Sequence, residues 1–299
     1  MRIFGFSSHG GPEVLRHLDV PAPFPGAGQV LIDVHATSVN PGDLNTREGT
    51  NEFEVAFPMA FGREAAGTVA AVGEGVTGVE PGETVFGSSA SGHGSFGEQA
   101  LLDAPSVTPV PAGLDVRHAA CIPVAYGTAF DALDELGLAE GGTLVVLGAG
   151  GGVGTAVTTL AVARGLDVVG VASAGKHDLV GSLGGRHVVS GEGWVRRVRQ
   201  AAPEPAAVFD LVGGAPLREA ASLGCRLMSV ADRPLVAELG GTGVTRRRTR
   251  AVYSRVADLL ADGRATVTVG TVLPFARAAE AVAVVEEGHA TGKVAVTLT

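Results

Sequence analysis

Hydrophobic and polar positions change their spacing part-way along this chain of 299 residues, and the change predicts two kinds of structure. Residues 29–40 (QVLIDVHATSVN) are rich in valine and isoleucine and partly alternate, which is typical of a half-buried strand. Residues 64–87 place short apolar runs between glycines and a proline, which favours turns and hairpins over long helices. The first part of the chain is therefore predicted to form a compact, mainly β domain or barrel.

From about residue 118 the apolar positions take a helical spacing and then alternate between helices and strands. One helix is predicted to end at Gly137, and a second helix, made of small residues, at Gly165. Four apolar runs have the length of buried strands: residues 143–149, 167–173, 206–214 and 225–231. Because strands and helices alternate, this part is predicted to be a doubly wound α/β domain with a parallel sheet.

The last part of the chain combines a helical pattern over residues 275–287 with a strand pattern over residues 293–298. A strand that closes the chain can add to a sheet formed much earlier. We expect this strand to return to the β-rich domain.

Composition and charge exclude several classes of protein. With 45% hydrophobic and 18% charged residues the chain is globular, and its net charge of −9 argues against nucleic-acid binding. The basic run at residues 245–250 (TRRRTR) is explained by a solvated helix face or loop. Two cysteines, Cys121 and Cys225, exclude a multi-disulfide scaffold and a zinc lobe built from several cysteines, and nothing requires them to form a disulfide.

A membrane location is also disfavoured. Residues 141–163 carry no charged side chain and are long enough to span a bilayer. Five glycines clustered there each cost about 1 kcal/mol in a helix relative to alanine, so we predict no membrane span. The first residues lack the long apolar stretch of a signal peptide, and we expect a cytoplasmic protein.

Residues 148–154 (GAGGGVG) have the pattern of a dinucleotide-binding turn. Ala149, Gly151 and Gly154 fit an A-x-G-x-x-G frame, whose positions bend the chain, admit the pyrophosphate and let the helix pack on the strand. A predicted strand precedes the turn and a predicted helix begins on it, as this motif requires. The helix N-terminus supplies the free N–H groups and the partial positive charge that bind phosphate. The predicted cofactor contacts of this turn are Ala149, Gly150, Gly151, Gly152, Val153 and Gly154.

The end of the second predicted strand in this domain bears on the identity of the dinucleotide. NAD enzymes usually place a carboxylate there to hold the ribose 2′-hydroxyl, but this strand ends in Ser173 and is followed by Lys176. Lys176 is either an ordinary exposed lysine or the partner of a 2′-phosphate. Since the chain has only two lysines, we favour the second interpretation and predict NADPH, with Ser173 and Lys176 as contacts.

The order of motifs over nearly the whole chain resembles the zinc-free branch of the medium-chain dehydrogenase/reductase superfamily, the quinone oxidoreductase (zeta-crystallin-like) group. The resemblance rests on SVNPGDLNTREG (38–49), AAGTVAAVGEGVTGVEPGETVFG (65–87), IPVAYGTAFDAL (122–133), GAGGGVG (148–154), FDLVGG (209–214) and HATGKVAV (289–296). It implies a GroES-like, β-barrel-type substrate domain at residues 1–118 and 263–299, and a Rossmann domain at residues 119–262. It also implies a cleft that holds NADPH, hydride transfer to a quinone or an activated enone, and a homodimer formed through the edges of the Rossmann sheets.

The resemblance further implies that no catalytic metal is present. Zinc relatives have a cysteine and a histidine at the positions of Asn40 and Arg63, and Cys121 lies slightly off the third ligand position. Without a Lewis acid, hydrogen-bond donors must polarise the substrate oxygen. Arg63 is then either a charged substrate contact or the partner of Glu64.

The catalytic candidates follow from the same resemblance. Asn40 and Asp43 lie in a loop that forms the cleft in relatives, where the Asn40 amide would donate to a substrate carbonyl. Both residues fit the capping of an Asn-Pro-Gly-Asp loop equally well. Several relatives carry a tyrosine or lysine where Asn45 stands, so this chain lacks that proton donor. Tyr126 either lines the nicotinamide site or is a packed aromatic residue.

The resemblance also implies cofactor contacts outside the glycine turn. They are Thr128 in the motif at residues 122–133, backbone groups of Val212 and Gly213, and Lys293 as a cofactor or domain-closure contact. Two alternatives to a quinone or enone oxidoreductase stay open at this point. One is an enoyl reductase that tailors a secondary metabolite of polyketide type, and the other is a protein that binds NADPH without turnover.

Overall fold

The computed structural model describes residues 1–288 and 290–298, so His289, at the start of the motif at residues 289–296, lies outside the described residues, as does Thr299. The described chain divides into two compact units. The first unit contains Met1–Ala125, Arg248–Ala261 and the described residues from Val269 onward. The second unit contains Tyr126–Arg247 and Asp262–Thr268.

The first unit is mainly β, as its sequence pattern predicts. Its strands are β1 (Arg2–Phe6), β2 (Arg16–Asp19), β3 (Gln29–Val39), β4 (Met59–Ala60), β5 (Glu64–Val72), β6 (Thr84–Ser88), β7 (Gln99–Asp103), β8 (Thr108–Pro109), β15 (Val269–Pro274) and β16 (Lys293–Thr297). Its helices are α1 (Pro41–Glu48), α2 (Val116–Ala119), α9 (Arg250–Ala261) and α10 (Ala278–Glu286). The larger sheet has the order β15-β16-β3-β5-β6-β8, with β7 paired to β3, and a smaller sheet has the order β2-β1-β4.

The second unit alternates strands and helices. Its strands are β9 (Thr143–Leu147), β10 (Asp167–Ala172), β11 (Arg186–Val189), β12 (Ala207–Asp210), β13 (Arg226–Ser229) and β14 (Thr242–Gly243). Its helices are α3 (Gly127–Leu136), α4 (Gly152–Ala163), α5 (His177–Ser182), α6 (Trp194–Ala201), α7 (Gly214–Ala220) and α8 (Arg233–Glu238). The sheet order is β11-β10-β9-β12-β13-β14, and every neighbouring pair is parallel. This is the 3-2-1-4-5-6 order of the Rossmann fold, which confirms the predicted doubly wound sheet.

Strand register brings three chain segments together in the first unit. β3 is antiparallel to β5, with Thr37 opposite Ala65, and antiparallel to β16, with Val39 opposite Val294. The end of β3 therefore lies beside the starts of both neighbours. The closing strand returns to the β-rich unit, as expected, and carries Lys293 to this point.

Two details differ from the sequence interpretation. The segment after Asn40, assigned to a loop, is the helix α1, with Pro41 in its first turn and a left-handed Gly49 (φ 72°) at its end. The helix α9, assigned to the Rossmann domain, belongs to the first unit, where the Tyr253 hydroxyl bonds the Ser88 hydroxyl at 2.9 Å. A boundary drawn along the sequence misses such a return of the chain.

Residues 119–125 likewise group with the first unit, and a π-helical turn (Ile122–Tyr126) leads into α3. α3 ends at Gly137 in a left-handed conformation (φ 52°), where the sequence predicts its end. Within residues 1–288 and 290–298, no helix is long and apolar enough to cross a membrane.

Candidate functional site

The glycine turn lies between β9 and α4 in the second unit, as a dinucleotide-binding turn requires. A Cβ atom on Gly154 would lie 2.2 Å from the Gly148 carbonyl oxygen, so only glycine allows α4 to start this close to the turn. Gly151 caps α4 in an extended conformation without a side-chain hydrogen bond. The first-turn N–H groups of α4 have no acceptor within the helix and sit at its positive end, which suits a pyrophosphate.

Lys176 lies against this turn. Carbons of its side chain lie 2.8–3.3 Å from the position of a Cβ on Gly150, so the absence of a side chain at Gly150 makes room for the lysine stem. Burial lowers the pKa of the Lys176 ammonium. Ser173, directly after β10, is exposed. The residues of this turn fit a dinucleotide, and an ammonium group on a stem beside it fits a further phosphate.

Val212 and Gly213 follow β12 and form a tight turn on Asp210. The buried Asp210 carboxylate accepts hydrogen bonds from the Val212 N–H at 3.0 Å and the Gly213 N–H at 3.0 and 3.1 Å. It also accepts a hydrogen bond from the Ser229 hydroxyl at 2.6 Å. Asp210 thus holds the N–H groups of both residues, and their contact with a cofactor stays a prediction. The Val212 side chain is 53% exposed.

Two residues near the start of α3 are buried. Thr128 is 4% exposed, and Tyr126 is fully buried. The Tyr126 hydroxyl donates to the Thr266 carbonyl at 2.9 Å and accepts from the Thr268 N–H at 3.1 Å. Because these bonds hold the phenol between two backbone groups, the structure favours the packed aromatic residue over a catalytic side chain. Thr128 as a cofactor contact stays a prediction.

A buried polar cluster lies in the first unit where β3, β5 and β16 meet. The Glu64 carboxylate, fully buried at the start of β5, is its centre. Its Oε1 accepts from Asn40 Nδ2 at 2.8 Å, from Lys293 Nζ at 2.9 Å and from the Ser38 hydroxyl, and its Oε2 accepts from the Val124 N–H at 2.7 Å. One carboxylate thus joins β5 to three other chain segments, at residues 38–40, 124 and 293, and it neutralises a buried ammonium.

The same bonds engage Asn40, whose role as a donor to a substrate carbonyl stays a prediction. The Asn40 amide nitrogen donates to Glu64 at 2.8 Å and to Asp43 Oδ2 at 3.3 Å, so its N–H groups are bonded to protein carboxylates. Its amide oxygen accepts from Lys293 at 2.5 Å, and the lysine also donates to the Val39 carbonyl at 3.4 Å. The Lys293 ammonium therefore has three protein acceptors. Its proposed contact with a cofactor stays a prediction.

Asp43 differs from the rest of the cluster. Its Oδ2 accepts from the Asn40 N–H at 2.8 Å, as an N-terminal cap of α1, whereas its buried Oδ1 has no hydrogen-bond partner among the described residues. Burial raises the pKa of Asp43 to about 6, against the opposing charge of Arg63. Asn45 lies on the exposed side of the same helix. The structure thus brings Asn40, Asp43 and Lys293 together and leaves Asn45 outside.

Sequence reasoning missed Glu64 and Ser38 as members of this cluster. The signal for Glu64 was an acidic residue at the start of an otherwise apolar strand, EAAGTVAAV. Cys121 is buried nearby, and burial raises the pKa of its thiol to about 12 although the Lys293 charge opposes the rise. Both cysteines are free. In the part of the chain that the structure describes, no three His, Cys, Asp or Glu side chains are grouped as a metal site.

Known proteins resemble the chain over both units. Residues 26–112 match the alcohol dehydrogenase GroES-like domain, and residues 118–296 match the zinc-binding dehydrogenase model. The quinone oxidoreductase of Rattus norvegicus is 41% identical over 174 residues, which cover 58% of this chain and 52% of that protein. The chain thus spans about half the length of the curated relatives it matches.

Solved structures match more of the chain. A mycobacterial protein complexed with NADPH is 28% identical, with a TM-score of 0.87 over 99% of both chains. An NAD-dependent alcohol dehydrogenase is 26% identical, with a TM-score of 0.89 over 100% of both chains. Since the zinc-binding dehydrogenase model covers more than half of the chain, this protein belongs to that family, within the quinone oxidoreductase group of the medium-chain dehydrogenase/reductase superfamily.

Proposed function

We propose that this protein is an NADPH-dependent oxidoreductase that transfers a hydride to a quinone or an activated enone without a catalytic metal. The observation that carries the proposal is the Lys176 stem lying against Gly150, beside the helix start that suits a pyrophosphate. NADPH differs from NADH only by a 2′-phosphate. A lysine beside the turn, with no acidic residue ending β10, therefore favours the phosphorylated cofactor.

Separate residues would bind the cofactor and supply the proton. The first-turn N–H groups of α4 would hold the pyrophosphate, and Lys176 and Ser173 the 2′-phosphate. The bound cofactor supplies a hydride from its nicotinamide. Reduction of a quinone also consumes a proton, and Asp43 is the buried acid whose pKa, raised to about 6, lets it bind and release a proton near neutral pH.

The geometry favours a quinone over a demanding enone. The Asn40 amide, which the resemblance predicts to donate to a substrate carbonyl, is engaged with protein atoms, as is the Tyr126 hydroxyl, and Asn45 is exposed. A quinone needs less help with protonation than an isolated enone because its reduced form is a stabilised phenolate. Metal-free chemistry is supported by Lys293, whose ammonium bonds the oxygen of Asn40, one of the positions that hold zinc ligands in relatives.

The decisive experiment follows NADPH absorbance with 9,10-phenanthrenequinone and with a panel of small enones, in the presence and absence of a chelator. We expect rapid oxidation with the quinone, unaffected by the chelator. Strong activity with one enone and little with quinones would identify a dedicated enoyl reductase. Tight NADPH binding without oxidation by any acceptor would identify a binding protein.

The cofactor assignment has its own test. Lys176→Met is expected to raise the KM for NADPH about tenfold or more and to leave the KM for NADH nearly unchanged, because only NADPH loses a charge-assisted contact. A wild-type preference for NADH would contradict the assignment. A cytoplasmic homodimer formed through the Rossmann sheets stays a prediction, and light scattering of the purified protein tests the dimer.

A further inference from the structure

Two arginines converge on one aromatic ring in the first unit. The guanidinium carbon of Arg63 lies 3.1 Å from the centroid of the Phe53 ring, and that of Arg248 lies 5.3 Å from the same centroid. Phe53 is 37% exposed, and both arginines are partly buried. Arg63 precedes β5 and Arg248 precedes α9, so segments nearly two hundred residues apart in sequence build this group.

The chemistry of the group points to an anion. A guanidinium that stacks on a ring uses its face, whereas carboxylates and sulfonates bind its N–H edge in a bidentate manner. Within residues 1–288 and 290–298, no carboxylate lies within ion-pair distance of Arg248. The ring restrains the two long side chains, so less conformational entropy is lost when a ligand binds.

The backbone of Arg248 adds an independent observation. Arg248 has a left-handed conformation (φ 49°), and it is the only non-glycine residue with positive φ in the described part of the chain. A residue with a Cβ is disfavoured there by about 1–2 kcal/mol, and such strain is concentrated at functional sites. Glycine would relieve the strain, yet the chain holds an arginine at this point.

The group also lies close to the polar cluster. The charge that acts most strongly on the Asp43 carboxyl is that of Arg63. The guanidinium of Arg63 is thus within electrostatic range of the acid that we propose to carry the substrate proton.

We infer that Arg63, Phe53 and Arg248 form a subsite for an anionic group on the acceptor, so that the preferred substrate is a planar acceptor bearing a carboxylate or sulfonate. The inference rests on the proposed function, because it names the substrate class of the same enzyme. A neutral acceptor would gain nothing from two guanidinium groups. An anionic one gains charge-assisted hydrogen bonds that are strongest at low salt.

The test compares 1,4-naphthoquinone with 1,4-naphthoquinone-2-sulfonate as acceptors for the full-length protein at low ionic strength. In Arg248→Gly, kcat/KM for the sulfonated quinone is expected to fall about tenfold, and that for the neutral quinone less than about twofold. In Arg63→Gln, whose lost charge also acts on Asp43, the ratio of kcat/KM for the sulfonated quinone to that for the neutral quinone is expected to fall about tenfold. Arg248→Gly keeps a residue that tolerates positive φ, so a folding defect is not expected. Arg16→Gln removes the same charge from an exposed position on β2 and is the control.

Calorimetric titration with naphthalene-2-sulfonate separates this inference from the proposed function. Binding by the wild type that is lost in both variants supports the subsite even if neither quinone oxidises NADPH, an outcome that would refute the proposed function alone. Equal losses with both quinones, or unchanged selectivity together with unchanged sulfonate binding, would overturn the subsite. In that case the three side chains only tie two segments of the chain together.

Discussion

Replacing Lys293 by methionine is expected to destabilise the first unit strongly. The substitution keeps the length of the side chain but removes a cation that is 3% exposed and bonded to a fully buried Glu64. Breaking a buried ion pair by removing one partner costs about 3–5 kcal/mol, because the remaining charge stays buried without compensation.

The contacts around the pair refine this magnitude. The Glu64 carboxylate keeps three donors, on Ser38, Asn40 and Val124, so the lost ion pair belongs at the low end, about 3 kcal/mol. The Asn40 oxygen loses its lysine donor as well, which adds about 1 kcal/mol. For a unit of this size, 3–4 kcal/mol corresponds to a decrease in Tm of roughly 6–15 °C.

The assay is urea unfolding followed by circular dichroism, with differential scanning calorimetry for the transition of the first unit. The matched control is the double variant Lys293→Met with Glu64→Gln, which removes the orphaned charge and keeps one oxygen acceptor for Ser38 and Asn40, at the loss of the acceptor of the Val124 N–H. The double variant is expected to be more stable than the single variant. A single variant within 1 kcal/mol of the wild type, or a double variant no more stable than the single one, would refute the electrostatic reasoning.

Three further predictions follow from local contacts. Asp43→Asn should remove a pH dependence of the free energy of unfolding. Because the pKa of Asp43 is raised to about 6, burial of its ionised form costs up to about 3 kcal/mol above pH 6 and nothing below pH 4. In unfolding experiments the variant should therefore gain stability over the wild type as the pH rises from 4 to 6. Gly154→Ala should weaken NADPH binding at least about tenfold in fluorescence titrations, because its Cβ would meet the Gly148 carbonyl at 2.2 Å, whereas Gly181→Ala, in α5 with no atom within 4 Å, should not. Tyr126→Phe should cost about 1–2 kcal/mol of unfolding free energy and leave kcat unchanged; a large loss of kcat in a folded variant would restore the catalytic interpretation.

The second unit was largely predictable because its determinants are local. Apolar runs of strand length, glycines that end helices and the GAGGGVG turn lie within about thirty residues of one another and specify a βαβ unit without distant partners. The strands β9, β10, β12 and β13 fall inside the predicted runs. The loop predicted after Asn40 was wrong because the composition of NPGD suits a turn and a helix start equally.

The polar cluster could not be predicted in the same way. Glu64 and Lys293 are 229 residues apart in sequence, and their contact depends on the register of β3 with both β5 and β16. A shift of one residue in either pairing would turn these side chains to the opposite face of the sheet. The engagement of Asn40 and Tyr126 with protein atoms follows from the same long-range packing.

The sequence by itself determined the fold class and the position of the glycine turn, because hydrophobic periodicity and glycine conformation are properties of neighbouring residues. Its motifs carried the family resemblance. Only the tertiary structure decided which polar side chains are available for chemistry. It placed Asn40 and Lys293 in a network of hydrogen bonds between protein side chains, and it stacked Arg63 and Arg248 on Phe53. It also left Oδ1 of Asp43 without a hydrogen-bond partner among the described residues. Hydrogen-bond partners and desolvation are set by residues distant along the chain, so they appear only once the chain is folded.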